Sequence, residues 1–260
     1  MEIGLRGKKA LVTGATHGIG REISLLLAQE GVDVAFLSRN EENLKAQEKL
    51  LLDYPINTLS LKCDVLIPSE INIAWQNVVK CWGGIDILIN NVGGGGRWGS
   101  EDPINTSISV WNEVLQKNLG ATTQFTMLAI PAMLKNKWGR VITITSTHGT
   151  YIAGRPWFNV AKVAQSTLMK NLSRQQNFSR NGITFNCVAP GAIMIPETGW
   201  DNFKKNSPVE FEEFITKLPL GRLGTPREVA EVVLFLCSNQ ACLVNGASII
   251  VDGGESNKFE

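Results

Sequence analysis

A glycine-rich turn near the start of the chain has the composition of a phosphate-binding loop. Gly14, Gly18 and Gly20 follow the apolar run 10–13, and a segment with helical periodicity begins at Gly18. Glycine lets the backbone approach a ligand closely, and the free N–H groups at the start of a helix complement negative charge. Glycines also serve ordinary tight turns. A position between a first strand and a first helix nevertheless predicts a dinucleotide-binding site.

The end of the second predicted strand offers positive charge where an acidic residue would suit an adenosine ribose. Ser38 ends this strand, Arg39 follows it, and the run 36–40 contains no carboxylate. A hydroxyl beside a guanidinium suits a 2′-phosphate. This pattern favours NADP(H), with NAD(H) as the second possibility. The alternative is that Arg39 only ends the strand in solvent.

A serine and a lysine further along the chain are candidates for a second functional site. Ser146 follows the apolar run 141–145, and Lys162 lies four residues after Phe158. Residues four apart project from the same face of a helix. A lone serine or lysine is more often structural or solvated, but these two occur together with the glycine turn. The phenylalanine between them can neither donate nor accept a proton.

These motifs together resemble the short-chain dehydrogenase/reductase family, whose signature is a serine followed by Tyr-x-x-x-Lys. The chain resembles this family from Gly7 to Gly254, and within the family it resembles the 3-oxoacyl-carrier-protein-reductase branch. It implies an enzyme that interconverts a ketone and a secondary alcohol. The serine binds the carbonyl, the tyrosine donates the proton, the lysine holds the nicotinamide ribose, and an asparagine links the lysine to a water relay. Those catalytic roles fall on Ser146, position 158, Lys162 and Asn118.

Phe158 occupies the tyrosine position of that signature, so the usual proton donor is missing. General acid–base catalysis contributes about 10²–10⁴-fold, or roughly 3 to 5 kcal/mol of barrier. We therefore predict a chain that binds cofactor and turns over poorly. His148 or Tyr151 could supply the proton instead, or could be ordinary loop surface. The rival hypotheses are a protein that senses NADP(H) without turnover and a structural subunit that pairs with an active relative.

The resemblance also implies a set of cofactor contacts. His17 would place a basic residue in the glycine turn, Asp64 and Val65 would meet the adenine, and Ile193 would meet the carboxamide. The full predicted cofactor set is Gly14, Thr16, His17, Gly18, Ile19, Gly20, Ser38, Arg39, Asp64, Val65, Asn91, Gly93, Lys162, Pro190, Gly191 and Ile193.

Aromatic and basic residues in the loops that should surround the pocket suggest the substrate. Tryptophan faces beside guanidinium groups suit a flat or ring-shaped polar ligand with an anionic group, such as a sugar or nucleotide-sugar. The alternative is that the tryptophans pack these loops onto the body or onto a neighbouring subunit. The predicted substrate residues are Arg97, Trp98, His148, Tyr151, Arg155, Trp157 and Trp200.

Apolar runs that alternate with helical segments predict a single doubly wound α/β domain over 1–260. The expected structure is a parallel sheet of about seven strands with helices on both faces. Predicted strands are 10–13, 34–38, 58–63, 85–90, 141–145, 183–188 and 248–251, and predicted helices are 18–30, 40–53, 69–82, 107–135, 158–180 and 226–238. Thr225, Pro226 and Glu228 predict the start of the last helix. Residues 193–217 interrupt the alternation and are predicted to form a partly mobile substrate lid.

Composition excludes several classes of function. The chain has 260 residues and a net charge of +1, which offers no electrostatic footprint for nucleic acid or an anionic membrane. No run approaches the length of a membrane span, so we expect a cytoplasmic protein. Its five cysteines have no metal-ligand spacing, so we expect buried thiols and no metal site. The family resemblance implies a homodimer or homotetramer formed through the helices 107–135 and 158–180.

Overall fold

A seven-stranded, wholly parallel sheet forms the centre of the computed structural model, which describes residues 2–149 and 154–257. The strands are β1 Lys9–Thr13, β2 Asp33–Ser38, β3 Thr58–Lys62, β4 Ile87–Asn90, β5 Gly139–Ile144, β6 Ile183–Pro190 and β7 Ser248–Val251. Their order in the sheet is β3-β2-β1-β4-β5-β6-β7, so the chain winds outward from β1 in both directions. This order confirms the predicted doubly wound fold.

Helices cover both faces of the sheet because its central strands are apolar on both sides. Every residue of β4, β5 and β6 is buried. One face packs against the helices 18–29 and 226–237 through residues such as Leu27 and Val233. The other packs against the helices 68–82, 121–136 and 156–173 through Ile71, Phe125 and Met169. The helices are α1 Gly18–Gln29, α2 Glu41–Leu51, α3 Pro68–Trp82, α4 Ile108–Leu115, α5 Ala121–Asn136, α6 Pro156–Ser173, α7 Gln176–Ser179, α8 Gly199–Asn206, α9 Pro208–Lys217 and α10 Pro226–Cys237.

The predicted helix 107–135 contains an irregularity that periodicity does not reveal. One turn of π-helix, Gln116–Gly120, joins α4 to α5. Such a turn accommodates an extra residue and often marks a functional site. Here it contains Asn118, which is fully buried.

Two other helix boundaries have local causes. The predicted helix 158–180 begins earlier, with Pro156 in its first turn, and ends at Ser173 before the short helix α7. Proline suits the first turn because its missing N–H has no helical partner there. The predicted start of the last helix is confirmed, since Thr225 and Glu228 form a reciprocal capping box.

Residues 193–217 are more regular than the sequence suggested. They contain α8 and α9, which the prediction missed because proline and scattered aromatics obscured the helical period. These helices pack around Phe211, which is buried, and Trp200 stacks on Phe214 with a ring-centroid distance of 4.8 Å. The segment therefore has a small apolar core of its own.

The predicted burial of the cysteines is correct for three of the five. Cys63, Cys187 and Cys237 are buried as expected, but Cys81 and Cys242 are exposed. Within residues 2–149 and 154–257, no group of three or more His, Cys, Asp or Glu side chains could hold a metal ion. No helix in those ranges is long and apolar enough to cross a membrane.

Candidate active site

The glycine turn between β1 and α1 forms one wall of an open cleft at the carboxyl end of the sheet. Gly14 and Gly18 have φ values of +63° and +52°, which side chains disfavour. A Cβ on Gly20 would collide with the Gly14 carbonyl oxygen and the Asn91 side chain. The turn is therefore compact and leaves its backbone accessible at the start of α1, as a pyrophosphate requires.

Asn91 joins the ends of β1 and β4 beneath this turn. Its side-chain N–H donates to the Thr13 carbonyl at 2.9 Å and to the Gly14 carbonyl at 3.0 Å. The Thr13 hydroxyl accepts the backbone N–H groups of Asn91 and Val92, each at 2.9 Å. Asn91 thus positions the glycine turn, a role that the predicted cofactor contact did not include. Gly93 lies beyond it and lines the cleft.

The ends of β2 and β3, where the resemblance places the adenosine contacts, combine an exposed positive charge with a hydrogen-bonded loop. Arg39 is exposed after β2, and the Ser38 hydroxyl accepts the Asn40 N–H at 3.3 Å. The Asp64 carboxylate accepts the Leu66 N–H at 3.0 Å. The Val65 carbonyl accepts the Gln116 side chain at 3.1 Å, which ties this loop to the π-helical turn.

Lys162 lies at the opposite, chemical end of the cleft and is 3% exposed. Its ammonium donates to the Ile144 carbonyl at 3.0 Å. Burial lowers the pKa of Lys162 to about 7, because its charged form loses water and gains no carboxylate partner among the described residues. The ammonium is 5.6 Å from the centre of the Phe158 ring. Lysine and phenylalanine thus adopt the predicted relative placement on α6.

Asn118 connects the π-helical turn to the glycine loop after β4. Its side chain donates to the Gly94 carbonyl at 2.9 Å and accepts the Gly94 N–H at 3.2 Å. The Asn118 carbonyl accepts the Gln165 side chain at 3.1 Å. Sequence reasoning missed Gln165, although its position three residues after Lys162 on one helix could have indicated it.

Ser146 and Phe158 face the same cleft as Lys162, together with Pro190, Gly191, Ile193 and Trp200. The cleft has a volume of about 440 Å³. Pro190 and Gly191 lie at the end of β6, where the Ala192 N–H donates to the Glu255 carboxylate at 2.6 Å. The predicted catalytic and nicotinamide-side residues therefore converge on one site.

His148 lies near this site, and its ring is partly enclosed by neighbouring residues. It is half-buried, its ring lies edge-on to Phe158 at 6.1 Å, and burial lowers its pKa. Its backbone N–H donates to the Ser146 hydroxyl at 3.2 Å. Tyr151, the other predicted substitute donor, lies outside the described residues.

The predicted role of Trp157 in substrate binding is wrong. Its side chain is 0% exposed, packs edge-on against Trp111 at 5.5 Å and donates to the Gly95 carbonyl at 3.2 Å. The indole therefore packs α6 onto the glycine loop. Arg155 also holds this loop, since it donates to the Trp98 carbonyl at 2.8 Å.

Arg97, Trp200 and His17 connect the 193–217 segment to the cleft. The Arg97 guanidinium is 5.6 Å from the centre of the Trp200 ring, and Trp200 lines the cleft. His17 has its Nε2 atom 3.0 Å from the Pro196 carbonyl oxygen. In this arrangement the imidazole engages residues 193–217, whereas the resemblance implied a contact with phosphate.

Comparison with known sequences finds related reductases along most of the chain. A family model described as enoyl-(acyl carrier protein) reductase matches residues 14–256. 3-Oxoacyl-[acyl-carrier-protein] reductase FabG of Aquifex aeolicus is 36% identical and covers 98% of this chain and 99% of its own length. Dehydrogenase/reductase SDR family member 4 of Bos taurus is 31% identical over 96% of this chain and 88% of its own length.

Solved structures share the whole fold. L-sorbose reductase from Gluconobacter frateurii, complexed with NADPH and L-sorbose, has a TM-score of 0.89 at 26% identity and covers 100% of both chains. A variant of actinorhodin polyketide ketoreductase with NADPH has a TM-score of 0.88 at 31% identity, covering 97% of this chain and 98% of its own.

The fold and the cleft define an α/β oxidoreductase with a dinucleotide site at the carboxyl end of its sheet. The chain belongs to the short-chain dehydrogenase/reductase family, and its similarity is to ketoreductase-type members.

Proposed function

We propose that this protein is an NADP(H)-dependent oxidoreductase that interconverts a ketone and a secondary alcohol, with turnover limited by the missing hydroxyl at position 158. The observation that carries the proposal is the fully buried Lys162 beside the Phe158 ring, in a cleft that also contains Ser146. Burying a lysine without a carboxylate partner is costly, and ionisable groups in such environments cluster at functional sites. The site therefore contains the side chains that this reaction needs, except for the proton donor.

The residues present fit NADP(H). The glycine turn packs tightly, because a Cβ on Gly20 would collide with the Gly14 carbonyl, and the cationic Arg39 follows β2 where a 2′-phosphate would lie. Two structural relatives contain NADPH. When bound, the cofactor supplies a hydride to the carbonyl carbon. We expect Asp64 and Val65 to contact the adenine and Ile193 to contact the carboxamide.

Ser146 and Lys162 retain their parts of the chemistry. The Ser146 hydroxyl can donate to a substrate carbonyl and orient it, and the Lys162 ammonium can hold a ribose hydroxyl. In the family, the lysine also lowers the pKa of the tyrosine. Phe158 removes that partner, and with it the phenolic hydroxyl from which the developing alkoxide would take its proton. Reduction should therefore be slow, while cofactor binding should be intact.

A sugar or nucleotide-sugar is the substrate class we favour. Trp200 lines the cleft beside the Arg97 guanidinium, which together offer an apolar ring face and a positive charge. Structural similarity to a reductase crystallised with L-sorbose supports a keto-sugar. The burial of Trp157 removes one of the three tryptophans on which this hypothesis first depended. We propose that 193–217 acts as the lid over this substrate.

The second candidate is an NADP(H)-binding protein without turnover, which Phe158 specifically favours.

We also propose a homo-oligomer, either a dimer or a tetramer. An apolar surface formed by Leu119 of the π-helical turn and Val160 and Leu168 of α6 supports this assembly. Cytoplasmic location stays a prediction.

NADPH oxidation over keto-sugars, β-keto thioesters and simple ketones distinguishes the two candidates. The assay is run in parallel on the parent protein and on Phe158→Tyr, with Phe178→Tyr as a control for an added hydroxyl away from the cleft. Turnover by Phe158→Tyr alone would establish a reductase disabled at one position. Equal turnover by the parent would refute the limitation at Phe158 and direct attention to His148 and Tyr151. No turnover by either protein, with NADPH binding retained, would favour the non-catalytic candidate.

A further inference from the structure

A carboxylate lies directly behind the wall of the cleft at its chemical end. The Glu255 side chain accepts the Ala192 N–H at 2.6 Å, in the loop that follows β6. A Cβ built on Gly191 would collide with the same carboxylate oxygen. The cleft side of this loop is formed by Pro190, Gly191 and Ile193. The backbone of residues 191–192 therefore lies between the Glu255 charge and the cleft.

The chain after β7 folds back so that it holds this carboxylate in place. The Asp252 carboxylate accepts the Gly254 N–H at 2.9 Å, and the Asp252 carbonyl accepts the Glu255 N–H at 3.2 Å. β7 pairs with β6 up to its last residue, where Val251 lies opposite Pro190. The turn after one strand thus delivers Glu255 to the loop after the neighbouring strand.

The negative charge of Glu255 is not neutralised by an ion pair within residues 2–149 and 154–257. The salt bridges in these ranges involve other acidic residues. The charge also acts on the chemical end of the cleft: burial lowers the pKa of His148, and the Glu255 carboxylate opposes that effect. A carboxylate held by backbone N–H groups alone still exerts its field on its surroundings.

The proposed cofactor changes its charge in front of this carboxylate. A nicotinamide ring is positively charged in NADP⁺ and neutral in NADPH, so a nearby carboxylate attracts the oxidised form more strongly. The expected nicotinamide contacts Pro190, Gly191 and Ile193 are the residues that form the cleft wall at Glu255. The electrostatic effect of Glu255 should therefore differ between the two forms of the cofactor.

We propose that Glu255 is a positioning residue for the nicotinamide site, whose hydrogen bond fixes the loop after β6 and whose charge favours the oxidised cofactor. This inference rests on the proposed function, because it assumes a nicotinamide in the cleft. The charge would shift the equilibrium on the protein toward NADP⁺ and the alcohol. The two contributions are separable, because an uncharged amide oxygen can also accept the Ala192 N–H.

Glu255→Gln tests the proposal, since glutamine keeps a hydrogen-bond acceptor of the same length and removes the charge. Dissociation constants for NADP⁺ and NADPH are measured separately by calorimetry, without substrate. We expect Glu255→Gln to weaken NADP⁺ by about fivefold and NADPH by less than about twofold. Glu255→Asp keeps the charge and should retain more of the preference for NADP⁺. Glu255→Ala loses the charge and the hydrogen bond, so it should weaken both forms.

Glu70→Gln is the matched control, because the Glu70 carboxylate accepts the backbone N–H of Asp64 at 2.7 Å after β3. The expected adenosine contacts lie there, and the adenosine is the same in NADP⁺ and NADPH, so both affinities should change equally. Equal changes for Glu255→Gln, or none, would overturn the role of the Glu255 charge and leave the proposed function intact. A parent protein that binds neither NADP⁺ nor NADPH would refute the proposed function, and this inference with it.

Discussion

The two ends of the cleft differ in how many of the expected functional groups they contain. At the nucleotide end, Asn91 holds the glycine turn and the exposed Arg39 follows β2, as the predicted binding site requires. At the chemical end, Ser146 and Lys162 are in place, but Phe158 presents a bare ring. Binding and proton transfer depend on different atoms, so one can be lost without the other. The comparison predicts a protein in which affinity for cofactor and capacity for turnover are separable.

Phe158→Tyr should produce the largest change, because it restores the missing donor beside Lys162. We expect kcat for ketone reduction to rise about 10²–10⁴-fold. The dissociation constant for NADPH should stay within about twofold, since the nucleotide end is untouched. Steady-state kinetics and fluorescence titration measure the two quantities. A large change in NADPH affinity would show that the two ends are coupled.

Gly20→Val should damage the nucleotide end instead. Its side chain would collide with the Gly14 carbonyl and displace the turn from the pyrophosphate position. We expect NADPH affinity to fall by about 100-fold, a loss of roughly 3 kcal/mol. Gly7→Asn is the matched control, because that glycine has φ +77° with open space around it. Retained NADPH binding by the valine variant, measured by calorimetry, would contradict the assigned role of the turn.

The pH dependence of stability should report the unpaired Lys162. The unfolded lysine keeps its proton to about pH 10.4, whereas the folded one releases it near a pKa of about 7. Between these values the unfolded state binds more protons, so stability rises with pH by up to about 1.4 kcal/mol per unit. Below about pH 7 this dependence disappears, because both states are protonated.

Urea unfolding of the parent and of Lys162→Met at about pH 7 and pH 8.5 measures this effect. The parent should gain about 2 kcal/mol relative to the variant over this interval. Taking the difference cancels the buried thiols over this interval: burial raises the pKa of Cys187 to about 12 in the parent, and loss of the Lys162 charge would raise it further, so the folded thiol keeps its proton in both proteins. Parallel pH profiles for the two proteins would show that Lys162 stays charged inside the fold.

Arg39→Met should give the smallest of these effects. We expect the ratio of NADPH to NADH affinity to fall by about tenfold, the size of one charge-assisted contact on an exposed side chain. Arg39→Lys keeps the charge and should lose less. If the ratio is unchanged in both variants, Arg39 is only a solvent-exposed strand end.

Local sequence patterns determined the fold and both ends of the cleft. Short apolar runs such as 141–145 have to be buried on both faces, and a glycine turn directly after the first strand has to open a helix. The spacing of Phe158 and Lys162 likewise fixed their common helix face. Each of these features depends on residues that are close along the chain, so elementary periodicity was sufficient to predict it.

The tertiary structure alone decided which tryptophans face the cleft and which side chains meet at the π-helical turn. Trp157 and Trp200 have similar loop contexts in sequence, yet one is buried against Trp111 and the other lines the cleft. Lys117 lies beside Trp98 and Gly94 because a π-helical turn, which periodicity does not reveal, meets the loop after β4. Side-chain burial and electrostatic environment depend on such long-range packing, and no local pattern encodes them.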